Sequence, residues 1–220
     1  MIDLSKVQKR TTADIAKRIV QDIPDGSHVN LGIGQPMTIS NYLPSDKEIL
    51  LHSENGLLGM GPLAKDHEID EELVNAGKQP VTMLPGASLC HHADSFVMIR
   101  GGHIDICVLG AFQVSVKGDI ANWRTGDPKA IPAVGGAMDL ALGAKKLFVM
   151  MEHLTKSGES KLVKECTYPL TALAAVNSIY TDLATIEVTP DGLLAIDWVD
   201  GLSFEDLQKL SGVPLIKLEK

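Results

Sequence analysis

The sequence predicts an α/β fold: an open, mainly parallel sheet with helices on both faces, finished by a C-terminal hairpin and helix. Three observations carry that expectation. Short apolar runs such as Ile104 to Leu109 read as strands buried on both faces, helical stripes alternate with them, and Gly and Pro punctuate the junctions. No internal repeat, low-complexity tract or linker interrupts the chain, so residues 1–220 are expected to form a single domain.

Taken in order, Thr11 with Asp14 resembles a helix start, and Ile15, Ile19 and Ile23 follow on one face before Pro24-Asp25-Gly26. Val29 to Gly34 reads as a short strand breaking into glycine, with a short helix to about Tyr42. Glu48 to His52 reads as a strand leading into Ser53-Glu54-Asn55-Gly56 and a glycine-rich loop. Val81 to Leu84 is expected to be a strand closed by Pro85-Gly86, and Ser95 to Arg100 a helix stopped by Gly101-Gly102. Gly136 to Ala144 suits a helix and Leu147 to Met151 a buried strand. Thr185 to Thr189 and Leu193 to Val199 flank Pro190-Asp191-Gly192 as a hairpin, and Ser203 with Asp206 caps a helix through Leu210.

Composition narrows the function classes. Of 220 residues 45% are hydrophobic and 22% charged, with 20 Lys plus Arg against 28 Asp plus Glu and a net charge of −8. That balance disfavours a general nucleic-acid binder, which needs a basic face. No run of about 18 apolar residues occurs, and the first twenty residues mix charge throughout, so no membrane association and a cytoplasmic location are expected. Three separated cysteines, Cys90, Cys107 and Cys166, fit reduced thiols.

Several motifs can be excluded. Gly32-Ile33-Gly34 opens like a dinucleotide fingerprint, but Met37 stands where the third glycine is needed, and no P-loop pattern occurs. The seven histidines have no metal-ligand spacing, so no metal is expected. His91 and His92, if on a strand, would point to opposite faces.

Glu54 differs in kind. It follows a buried strand at the end where open α/β sheets gather functional groups. A carboxylate there can act as a covalent nucleophile, although capping of the following turn explains it equally well at this point. Gly135-Gly136, opening a helix, offers backbone N–H donors for an oxyanion.

Ser53-Glu54-Asn55-Gly56-Leu57-Leu58-Gly59-Met60-Gly61-Pro62 resembles the signature of the B subunit of family I CoA-transferases, the 3-oxoacid CoA-transferase family. Asn30 to Gly34, Asn75 to Lys78, Ile99 to His103, Ala121-Asn122-Trp123, Gly135 to Leu140 and Pro169-Leu170-Thr171 extend the likeness over nearly the whole chain. His91 to Phe96, Ile131 to Val134, Thr155 to Ser160 and Leu207 to Lys217 are similar to the branch acting on 3-oxoadipate.

The resemblance implies a CoA-transferase-like fold related to sugar-phosphate isomerases. It implies a separate A subunit with which the chain forms a hetero-oligomer, and coenzyme A as a substrate with no bound cofactor. It implies transfer of CoA from succinyl-CoA to 3-oxoadipate through a glutamyl-CoA thioester on Glu54, with Gly136 N–H holding the oxyanion, in aromatic-compound degradation. Asn55, Gly56, Gly32, Gly34 and Gly135 become loop candidates for substrate or CoA. His91 or His92 is a candidate for reading the second carboxylate of 3-oxoadipate. Two alternatives stay open: the same reaction on acetoacetate or a short fatty acid, and a non-catalytic ligand sensor on the same fold.

Overall fold

A reciprocal capping box starts the first helix. Thr11 Oγ1 accepts from Asp14 N, and the Asp14 carboxylate accepts from Thr11 N at 2.9 Å, fixing the start of α1 (Thr12–Gln21). Ile15, Ile19 and Ile23 lie fully buried along its inner side. The computed structural model describes residues 7–127, 129 and 131–218. Residues 1–6, the start of the segment expected to lack a leader, lie outside these.

β1 (His28–Leu31), a 3-10 helix (Gln35–Tyr42), β2 (Leu50–Ser53), β3 (Leu57–Leu63) and β4 (Val81–Leu89) follow. Then come α2 (His92–Arg100), β5 (Ile106–Leu109), β6 (Gln113–Ser115), β7 (Ile120–Ala121), α3 (Ala137–Gly143) and β8 (Lys146–Met150). The chain continues through β9 (Leu162–Val163), β10 (Val176–Tyr180), β11 (Ala184–Thr189), β12 (Gly192–Trp198), α4 (Phe204–Ser211) and β13 (Leu215–Lys217).

Ten strands form one sheet in the order β13-β12-β11-β10-β8-β5-β1-β2-β3-β4. The centre, from β10 to β2, is parallel, as expected for strands buried on both faces; β3 with β4 and β11 with β12 add antiparallel margins. Alternation along β5 splits the core. Ile106 and Val108 join Ile15, Ile19 and Ile39 on one face, whereas Cys107 and Leu109 join Ile99 of α2, Leu140 of α3 and Leu207 of α4 on the other. Each such aliphatic side chain contributes roughly 1.5–3 kcal/mol of transfer free energy on burial.

The predicted hairpin forms as β11 and β12, and Ser203 caps α4 through Asp206 N. Elsewhere the structure corrects the reading. Leu57 to Leu63 is a strand paired antiparallel with β2, although its glycines look like a loop. β4 runs through Pro85-Gly86 to Leu89, which an edge strand tolerates because it has a ladder on one side alone. β13 pairs parallel with β12, and β6, β7 and β9 form a separate small sheet; their two- and three-residue lengths give no periodicity to read.

The strand order matters for the site. From β1 the chain moves outward to β2 on one side and later returns to β5 on the other, so the carboxyl ends of β1, β2 and β5 diverge around a crevice.

Candidate active site

A cleft of about 410 Å³ opens at this crevice. Its wall includes Gly32 beyond β1, Glu54 beyond β2, Gly110 beyond β5 and Met151 beyond β8, together with Gly135 and Gly136 from the loop leading into α3. Glu54, Gly32, Gly135 and Gly136 are thus brought to one cavity.

Glu54 sits on a tight turn between β2 and β3. Gly56 N donates to Ser53 O at 3.0 Å, and Gly56 O accepts from Cys90 N at 2.8 Å, pinning the turn to the start of α2. Gly56 has φ +112°, and a Cβ there would stand 2.2 Å from Cys90 O. Only glycine fits without displacing backbone. Asn55 turns away from the cleft, donating to Val74 O at 2.7 Å. Asn55 and Gly56 therefore shape the loop that carries Glu54 but do not line the cavity; Gly34, at the start of the 3-10 helix, does not line it either.

Beneath Glu54 runs a buried polar row across three parallel strands. Asn30 of β1 is in register with His52 of β2 and Cys107 of β5. Asn30 Nδ2 donates to Glu54 Oε2 at 3.3 Å and to His52 O at 3.2 Å, and lies 3.0 Å from His52 Nδ1. His52 Nε2 meets Ser95 Oγ of α2 at 2.8 Å. Burial, with some help from the nearby His28, pushes the His52 imidazole down to about 4, so it is neutral near pH 7. Burial also pushes the Cys107 thiol up, which removes it as a nucleophile.

Gly136 caps α3 with no side-chain partner, and among the described residues no hydrogen bond uses its N–H. A Cβ on it would meet the Phe96 ring at 2.9 Å, so the α3 entrance packs tightly on α2.

His91 and His92 lie elsewhere. They are not on a strand: His91 caps α2, its Nδ1 accepting from Ala93 N at 3.1 Å, and the His92 ring packs edge-on against Phe96 at 4.9 Å. Neither lines the cleft. Among the described residues the single basic side chain on the wall is the half-buried Lys161, and Glu152 lines the same cavity. Burial pushes the Lys161 ammonium down from the usual lysine range. Sequence reading gives Asn30, His52 and Ser95 no role, although an Asn and a His inside otherwise apolar strand runs are a readable anomaly, and it takes the charge run from Lys161 to Glu165 for a solvated face, whereas Lys161 is half-buried on the wall. No group of three or more metal-ligating side chains occurs among the described residues. No helix among them is long and apolar enough to cross a membrane.

An open α/β sheet that brings an acidic side chain and a helix-opening glycine pair to its switch point has the groups that acyl transfer through a carboxylate requires. The chain matches the coenzyme A transferase family model over residues 12–200, and it belongs to that family. It is similar to the B subunit of 3-oxoadipate CoA-transferase from Pseudomonas putida, 63% identical over 96% of this chain and 98% of that protein. The corresponding protein from Acinetobacter baylyi is 61% identical over 94% and 96%. An acyl-CoA transferase of Escherichia coli O157:H7 shares the fold with a TM-score of 0.73 at 17% identity; this chain is covered to 96% and spans 43% of that longer chain. The resemblance read from the motifs is borne out, and the protein is a CoA-transferase.

Proposed function

We propose that the chain is the B subunit of a CoA-transferase that moves CoA from succinyl-CoA to 3-oxoadipate through Glu54, folding as one domain and completed by a separate A subunit. The single observation that carries this reading is the Glu54 carboxylate standing in the cleft with an Asn30 N–H on Oε2. High identity to relatives named as B subunits, and a span of 43% in a longer transferase, support the need for a partner.

In the first step Glu54 attacks the thioester carbonyl, the C–S bond breaks, and CoA leaves as thiolate with a glutamyl-succinyl anhydride behind it. The thiolate then attacks the glutamyl carbonyl, giving glutamyl-CoA and succinate. 3-Oxoadipate reverses both steps and leaves as its CoA thioester. The oxyanion on the substrate carbonyl faces the Gly136 N–H, whereas that on the glutamyl carbonyl faces Asn30 Nδ2. Lys161 is the cation available on the wall for a second carboxylate. No resident cofactor enters these steps; CoA is a substrate, and the reaction belongs to aromatic-compound breakdown.

The test is a panel of acceptor acids with succinyl-CoA, using the chain co-produced with its A subunit. Preference for 3-oxoadipate supports the reading; preference for acetoacetate or a short fatty acid replaces the substrate, and no transfer to any acid leaves a ligand sensor.

A further inference from the structure

Asn30 offers two N–H bonds to three acceptors: His52 Nδ1 at 3.0 Å, His52 O at 3.2 Å and Glu54 Oε2 at 3.3 Å. Its aim at the nucleophile is therefore set by what His52 accepts. The imidazole is held at both nitrogens, by Asn30 on one side and by the fully buried Ser95 Oγ on the other, 2.8 Å away. An amide N–H facing Nδ1 requires that nitrogen to carry a lone pair, so the ring proton resides on Nε2 and is donated to Ser95.

We propose that His52 is a positioning residue: as the Nε2–H tautomer, with its ring held in place by Ser95 of α2, it orients the Asn30 amide so that an N–H reaches Glu54. His52 is 1% exposed and does not line the cleft, so it acts through Asn30 and not on substrate. The route also ties Glu54 to α2, the helix that packs through Phe96 on Gly136. Both donors proposed for the two oxyanions thus rest on one helix. The assignment rests on the transferase reading of Glu54 given above.

Three variants, assayed with the A subunit present, separate positioning from mere structural support. His52→Asn places an amide oxygen where Nδ1 stands and keeps an acceptor for Asn30. His52→Gln reaches towards Ser95 but withdraws that acceptor. Each loses one hydrogen bond, so similar falls in melting temperature are expected. The expected split is in turnover: His52→Asn stays within about threefold of wild type, whereas His52→Gln loses about tenfold or more in kcat with KM within about twofold. Equal kcat losses in the two folded variants overturn the proposal. Ser95→Ala, a smaller change, removes the partner of the Nε2–H and lets the ring shift against Asn30, and is expected to lower kcat about threefold to tenfold; a folded Ser95→Ala with wild-type kcat also overturns it. The tautomer itself is read by 15N NMR of the histidine ring, without substrate. Protonation at Nε2 supports the assignment and protonation at Nδ1 sinks it, whichever acid the enzyme uses.

Discussion

Asn30 Nδ2 stands 3.3 Å from Glu54 Oε2 and joins the ends of two neighbouring parallel strands, β1 and β2. Replacing Asn30 by Ala removes that donor and leaves His52 Nδ1 facing no N–H. The expected outcome is a loss of about 10–10² in kcat and of about 1–3 kcal/mol in stability. Steady-state kinetics with urea denaturation checks both; wild-type turnover in a folded Asn30→Ala would show that the contact has no catalytic weight.

The Gly56 turn makes a prediction about stability. A Cβ at this position would stand 2.2 Å from Cys90 O, on a backbone with φ +112° that L side chains rarely adopt. Gly56→Ala is expected to cost more than about 2 kcal/mol and to displace the segment carrying Glu54. Thermal denaturation and kcat should fall together.

Acid sensitivity follows from two buried histidines. His52 and His153 are each pushed down to about 4 by burial, from an ordinary value of 6.5. The unfolded chain therefore binds more protons between these values, so stability is fully present above about 6.5 and falls as pH drops towards 4. Each site contributes up to about 3 kcal/mol, an upper bound from the size of the shift. Below about 4 both states are protonated, and Asp105 takes over. The His28 backbone N–H first, then Lys145, hold its carboxyl down to about 2, so its contribution is lost as pH falls from the ordinary 3.8 towards 2. Urea denaturation at stepped pH should show decline in both windows; a flat response from 6.5 to 4 contradicts the neutral, buried assignment of the histidines.

Lys161→Met tests the charge of the cleft. Losing the one basic side chain on the described wall should raise KM for a dicarboxylate acceptor about tenfold with kcat little changed. A monocarboxylate acceptor should be affected less. The same panel on His92→Ala should give equal, small effects on both acids, because His92 packs on Phe96 away from the cavity.

How much of this was legible in the sequence depends on the kind of signal. Glu54 is a candidate because it directly follows a buried apolar run, with turn capping an equal alternative until the Ser53-to-Pro62 resemblance singles it out, and Gly135-Gly136 because a glycine pair opens a helix. The Thr11 and Ser203 caps and the Pro190-Asp191-Gly192 hairpin are local chemistry and were readable as such. β3 was not readable, since Gly59 and Gly61 imitate a loop while their pairing is set by strands distant in sequence. The row Cys107, Asn30 and His52 was hidden for the same reason: it exists only through the register of three strands. His91 and His92 are candidates from the resemblance alone, and as the N-cap and first residue of α2 they face a different part of the surface.

The central claim is that Glu54 is the covalent carrier of CoA. Incubating the assembled enzyme with succinyl-CoA, digesting it and reading the peptides by mass spectrometry tests this directly. The account predicts a CoA adduct on the peptide containing Glu54, discharged by the acceptor acid and missing in Glu54→Gln. Transfer that proceeds without this adduct, or with CoA on another residue, contradicts it.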